Sequence, residues 1–121
     1  MAGVAKDTIQ VVAVGLIAAL LMVGVASPYT IDGDSMVPAL SSGDVVLVNK
    51  IVYQWQEPQP QEMVIVATPY GLMAKRVVRE ISPDKYWVEG DNKDFSTDSR
   101  VYGPVDRSKV IGKIGMKLWR K

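Results

Sequence analysis

Leu72-Met73-Ala74-Lys75-Arg76-Val77-Val78-Arg79-Glu80-Ile81 is an apolar, β-branched run, bounded by Pro69-Tyr70-Gly71 before it and Ser82-Pro83-Asp84 after it. Pro and Gly clusters of this kind punctuate turns, and a run this short and this rich in valine reads as a strand. Working outward, residues 63–67 (Met-Val-Ile-Val-Ala) and 86–88 (Tyr-Trp-Val) flank it, with 45–52 (Val-Val-Leu-Val-Asn-Lys-Ile-Val) earlier and 110–119 last. Short strands between turn signals imply a mainly β domain, a small barrel-like or sandwich-like unit rather than a helical one. The last run alternates. Lys109, Ile111, Lys113, Gly115, Lys117, Trp119 and Lys121 share one face, and Val110, Ile114, Met116 and Leu118 share the other, which is assigned to the core. The lysine face reads either as a solvated edge or as a contact for anionic lipid. Residues 54–61, rich in Gln and Pro, read as an exposed loop with Trp55 as a possible interface anchor.

Ahead of these runs, residues 8–31 carry no charge, 24 positions between Asp7 and Asp32. At about 1.5 Å per residue such a helix is long enough to cross a hydrocarbon core of about 30 Å, so a membrane anchor is expected. A cleavable leader fits less well, because Pro28 follows the small residues Val25-Ala26-Ser27 and the run exceeds an ordinary leader core. The division expected is an anchor over 1–28 and a β-rich domain over 29–121. Lys6 and the terminal amine precede the run, and Lys50 is the first cation after it. That places the N-terminus on the cytoplasmic or matrix-equivalent side and the domain on the outer face of a single-pass membrane protein.

The 121 residues include no cysteine and no histidine. Disulfides, thiolate nucleophiles, a Ser-His-Asp triad and the commonest metal ligand are all excluded, so neither a metal nor a cofactor is expected. A net charge of +1 gives no reason to expect nucleic acid as a partner.

Three polar clusters remain. Asp32-Gly33-Asp34-Ser35-Met36-Val37-Pro38 follows the uncharged run, and alone its serine reads as a turn residue. Lys75 interrupts an apolar strand and shares a face with Met73 and Val77, so it faces inward among apolar groups or the strand lies at an edge. Gly90-Asp91-Asn92-Lys93-Asp94-Phe95-Ser96-Thr97-Asp98-Ser99-Arg100 alone reads as a surface loop.

Taken together, these clusters resemble the type I signal peptidase family of Ser/Lys proteases. The family places Gly-Asp-Ser-Met-x-Pro after a membrane span, then Gly-Asp, then Lys-Arg in a strand, then Gly-Asp-Asn…Ser-x-Asp-Ser-Arg. Residues 33–38, Gly43-Asp44, Lys75-Arg76 and residues 90–100 match in that order. The resemblance implies a membrane-bound serine endopeptidase that removes signal peptides from secreted precursors after small residues. Its partners would be those precursors and membrane lipid. Ser35 would be the nucleophile, Lys75 the general base, Ser96 the group that orients the lysine, and Asp98 with Arg100 a supporting ion pair. Tyr29, Ile31, Met36, Leu40 and Ala74 fall where the family lines its substrate pockets, and they read equally well as plain core. The oxyanion donor that some relatives carry two residues before the nucleophile is absent, because that position is Gly33. Pro60-Gln61-Glu62 and Arg79-Glu80-Ile81-Ser82 depart from the family pattern, and the cap inserted by larger members between the lysine strand and Gly90 is missing. A dedicated maturation peptidase for one exported protein, a self-cleaving Ser/Lys regulator and an inactive peptide-binding β-domain are the competing readings.

Bulk chemistry agrees with the resemblance. A serine hydroxyl needs an adjacent base, and lysine is one only if its surroundings depress its pKa, as burial among Met73, Val77 and neighbouring strands does.

Overall fold

A computed structural model describes residues 2–120, with the side chains of 2–5 and 20–25 outside the description. The chain is mainly β, with seven antiparallel strands in one sheet. They are β1 (Ala26–Thr30), β2 (Val45–Asn49), β3 (Met63–Thr68), β4 (Gly71–Ser82), β5 (Lys85–Glu89), β6 (Val105–Asp106) and β7 (Val110–Trp119). Their order across the sheet is β1-β2-β7-β3-β4-β5-β6. Valine and isoleucine dominate the buried positions, as a pleated surface with both faces covered requires. One face gathers Ile31, Met36, Leu40, Val46, Val48, Ile65, Ala74 and Ile114; another cluster gathers Tyr53, Val64, Val66, Val77, Tyr86, Val88, Val105 and Val110. Val64 and Ile65 are neighbours in β3 yet enter different clusters, the period-two signature. The sheet has two ends, β1 and β6, and is not closed by hydrogen bonds into a barrel among the described residues. It curls instead. The hydroxyl of Tyr29 in β1 donates to the carbonyl of Leu72 in β4 over 3.0 Å, across the first cluster.

One sequence expectation needs correction, and the structure redraws the bounds of another. The first concerns β7. Val110, Gly112 and Ile114 are buried, but Met116 is 64 % exposed and Leu118 48 %, so these two are not core. Val48 pairs with Ile114 while Val46 pairs with Lys117, so two steps along β2 match three along β7. That extra residue is a bulge, and past it the faces exchange. Lys117 comes onto the face of buried Val46 and pairs with Asp44, and Met116 and Leu118 turn outward. Lys113 also pairs, with Glu62, so the lysine face is not uniformly solvated. Lys121 lies outside the described residues.

The second concerns the N-terminus. Helix α1 runs Ala2–Val25, and Ala26–Thr30 pair with β2 instead of extending it. Among the described residues no helix is long and apolar enough to cross a membrane. The first turns of α1 hold Lys6, Asp7, Thr8 and Gln10, and the end of the uncharged run is drawn into the sheet. The apolar stretch 20–25 lies outside the residues whose side chains are described. Along 6–19 every side chain is exposed, including Val11, Val14, Leu16 and Ile17.

Candidate functional site

Lys75 occupies the middle of β4, which has β3 on one side and β5 on the other, so the edge reading of this lysine does not hold. It pairs across the ladder with Val64, shares the face of that buried valine, and is 1 % exposed. Its ammonium makes no salt bridge among the described residues. Its Nζ instead donates to Ser96 Oγ over 3.1 Å. Burial holds its pKa below the ordinary lysine value; the field of Asp98 opposes that shift and the field of Arg100 adds to it.

Why does the nearby carboxylate not simply capture the lysine? Asp98 is fully buried and already saturated. It caps the short helix α2 (Ser99–Tyr102) through the Arg100 N–H, and it receives Arg100 Nε at 2.9 Å and Nη2 at 2.7 Å. The Gly90 N–H (2.9 Å) and the Ser96 hydroxyl (2.7 Å) also donate to it. Burial alone would raise its pKa, but the Arg100, Gly90 and Ser96 donors outweigh burial and hold it well below the usual carboxylate range.

The Ser96 hydroxyl is equally committed. Its one proton goes to Asp98, and its lone pairs take Gly90 N–H at 3.1 Å and Lys75 Nζ at 3.1 Å. A hydroxyl offers one donor and two acceptor sites, so Ser96 has none left. Lys75 must therefore be the donor in that contact, and a neutral amine keeps its lone pair for another partner.

Ser35 lies half-buried in the turn after β1. The loop following β5 holds this turn: the Asn92 N–H donates to Ser35 O at 2.8 Å and Asn92 Nδ2 to Asp34 O at 3.0 Å. Gly90 allows the approach, since a Cβ there would overlap Ser96 Oγ and stand 2.6 Å from Ser35 O. The N–H of Ser35 has no partner among the described residues. On the far side of the turn, buried Asp44 accepts from Ser41 N–H (2.9 Å) and pairs with Lys117 Nζ (3.1 Å), which also donates to Ala39 O (3.2 Å). Arg76 forks onto Asp91 with two bonds of 2.7 and 2.8 Å, fixing the loop that carries Gly90 and Asn92 to β4.

Ser35 and Lys75 open onto one cavity of about 160 Å³. Tyr29, Ile31, Met73 and Ala74, residues 32–34, and Phe95 with Thr97 complete its lining. Three of the five residues expected in a substrate pocket, Tyr29, Ile31 and Ala74, are in that lining. Met36 and Leu40 are not; both are buried in the cluster beneath it. Asn92, Phe95, Asp32 and Asp34 were not singled out from the sequence. Only the Asn beside Gly-Asp in a turn-rich segment hinted at one of them. A larger cavity of about 690 Å³, lined by Lys50, Tyr53, Asp84 and Arg107 among others, contains none of the groups just described. Among the described residues no group of three or more Asp, Glu, His or Cys could hold a metal ion.

The family model described as signal peptidase, peptidase S26, matches residues 5–79 and 72–119. Mitochondrial inner membrane protease subunit 1 of Mus musculus is 28 % identical over 109 residues, covering 72 % of this chain and 66 % of its own length. A probable signal peptidase I-1 of Synechocystis is 27 % identical (88 % of this chain, 79 % of the relative), and signal peptidase IB of Staphylococcus aureus is 25 % identical (83 % and 82 %). The chain thus spans just under two thirds of the mouse protein.

Proposed function

Because the chain belongs to the signal peptidase, peptidase S26 family, we propose that it is a serine endopeptidase whose nucleophile is Ser35 and whose general base is Lys75. The observation that carries this reading is a buried lysine without a salt bridge among the described residues, opening onto the same small cavity as a serine. The neutral Lys75 amine donates to Ser96, and its lone pair takes the proton of Ser35 Oγ as that oxygen attacks a peptide carbonyl. The unengaged Ser35 N–H meets the negative charge that develops on the carbonyl oxygen. Protonated Lys75 then returns its proton to the departing amine, which leaves an acyl group on Ser35. Water, deprotonated by the same lysine, releases that acyl group and restores the hydroxyl. Gly90 and Asn92 hold the serine turn, and Ser96 and Asp98 hold the base.

Substrates are taken to be precursor proteins carrying signal peptides, cut after small residues. The wall of Tyr29, Ile31 and Ala74 leaves little room and offers charge no partner, so bulk is rejected by overlap and charge by desolvation. Similarity to a mitochondrial inner membrane protease subunit favours a second, narrower reading, a peptidase dedicated to few substrates. We place the chain at a membrane, where the exposed apolar residues of α1 find cover. The decisive experiment incubates the purified full chain with a panel of secretory precursors and maps the cuts. Small residues one and three positions before each cut are expected, with all cleavage lost in Ser35→Ala. Lysine or leucine immediately before the cleaved bond overturns the substrate assignment, and cleavage that survives Ser35→Ala overturns the mechanism.

A further inference from the structure

Phe95 is the chain's single phenylalanine, and it is 71 % exposed while lining the cavity that holds Ser35 and Lys75. It belongs to neither core cluster, and its ring meets no other aromatic ring among the described residues. Ordinary surface drift does not account for it, because the backbone beneath it is fixed on both sides. The Phe95 N–H donates to Asn92 O at 3.0 Å, in the turn that grips Ser35. The next residue, Ser96, is held by Lys75, Gly90 and Asp98 together. A large apolar ring is thus presented to the reaction cavity from a well-bonded turn, and the described residues leave it largely uncovered.

Phe95 shares the cavity with the apolar group of Tyr29, Ile31, Met73 and Ala74. Ala74 is one residue from Lys75, and Phe95 is one residue from Ser96, the lysine's partner. Both sets of lining residues are thus tied in sequence to the Lys75–Ser96 pair. An extended peptide advances about 3.3 Å per residue. With its small residue taken against Tyr29, Ile31, Met73 and Ala74, the large apolar group left in the lining for the residues beyond the cut is Phe95.

We propose that Phe95 is a specificity-determining residue that selects an apolar side chain at one of the two positions following the cleaved bond. This rests on the peptidase reading above. The ring supplies apolar area that an aliphatic or aromatic substrate side chain covers, and a polar side chain there loses its water without gaining a partner.

The test uses the full chain and two peptide series, identical except for leucine or asparagine, matched in size, at each of the two positions after the cut. The quantity read is the leucine-to-asparagine ratio of kcat/KM within one enzyme, which cancels differences in folded fraction. Wild type is expected to favour leucine at one of the positions. Phe95→Ala should lower that ratio about tenfold, within the range that one apolar contact discriminates, and Phe95→Leu should restore most of it. A Phe95→Ala variant that slows both series equally, or changes nothing, overturns the proposal, the former showing that the ring only steadies Ser96. A ratio that shifts in lipid vesicles but not in detergent also overturns it, because the ring then contacts membrane. Only cuts abolished by Ser35→Ala are scored. If wild type cuts no peptide, the peptidase reading falls and this proposal with it. If it cuts with an unchanged ratio, Phe95 alone is misassigned.

Discussion

Lys75 of β4 and Lys117 of β7 are two lysines turned towards the interior of the same sheet, and their surroundings are opposite. Lys117 meets a buried carboxylate, Asp44, and a backbone carbonyl, so its charge is matched and it serves as a strap across the base of the serine turn. Lys75 meets a hydroxyl, while the carboxylate beyond that hydroxyl is spent on Arg100. Burial with a partner makes a clamp, and burial without one is what the proposed role of base requires. The difference does not lie in the strand pattern, since each lysine follows an apolar residue in a β run. It lies in what the neighbouring loop has already used up.

Breaking the unmatched lysine is expected to have the largest effect. Lys75→Met should reduce kcat by about a thousandfold or more, and Ser35→Ala combined with it should be no worse, as for groups acting as one unit. The same variant should be more stable than wild type by about 1 kcal/mol or more at neutral pH, because a buried polar head gives way to an apolar one. The pH dependence follows from the lowered lysine pKa. Between that lowered value and the ordinary 10.5, unfolded wild type holds a proton that the folded form has released, so wild-type stability rises with pH. The advantage of Lys75→Met is therefore greatest below the lowered value and shrinks as pH approaches 10.5, which thermal melts across the range would record.

Next in size is Gly90→Ala, which pushes a methyl group between Ser96 Oγ and Ser35 O. About a hundredfold loss of kcat is expected, since misplacement of the order of 1 Å costs that much, with a modest loss of melting temperature. Arg100→Gln follows. Freed of its arginine, Asp98 acts on Lys75 as an ordinary counterion and raises the lysine pKa, so the acid limb of the kcat/KM profile should move to higher pH. Activity at neutral pH should drop about tenfold for each unit the limb moves. An unmoved limb would show that Arg100 serves only the loop. The smallest catalytic effect belongs to the matched pair. Asp44→Asn should lower stability by about 2 kcal/mol, short of a fully buried pair because Lys117 is partly exposed. It should leave the pH profile in place.

The strands were legible because valine-rich runs and Pro/Gly turns are local signals, and the resemblance brought Ser35, Lys75, Ser96, Asp98 and Arg100 to attention in order. What the sequence hid was non-local. Period-two alternation placed Met116 and Leu118 in the core, and a bulge set by pairing with β2 turned them out. The inward or edge choice for Lys75 depended on strand order, which local composition does not carry. Met36 and Leu40 share one buried cluster with Ile31 and Ala74, and only the packing decides which of the four also reach the cavity. Phe95 and Asn92 looked like loop residues because their significance comes from a turn more than fifty residues earlier, as in the 58-residue separation between Asn92 and Asp34.

The position of β7 bears on how the site is held together. β7 lies between β2 and β3, so the strand ladders on either side of it form two pieces, β1-β2 and β3-β4-β5-β6. Ser35 belongs to the first piece and Lys75 to the second. Loop contacts also bridge them: Asn92 bonds to Ser35 O and Asp34 O, and Tyr29 to Leu72 O. Residues 110–119 therefore act as a keystone, the strand whose ladders to β2 and β3 tie the hairpin around the serine turn to the strand that carries Lys75.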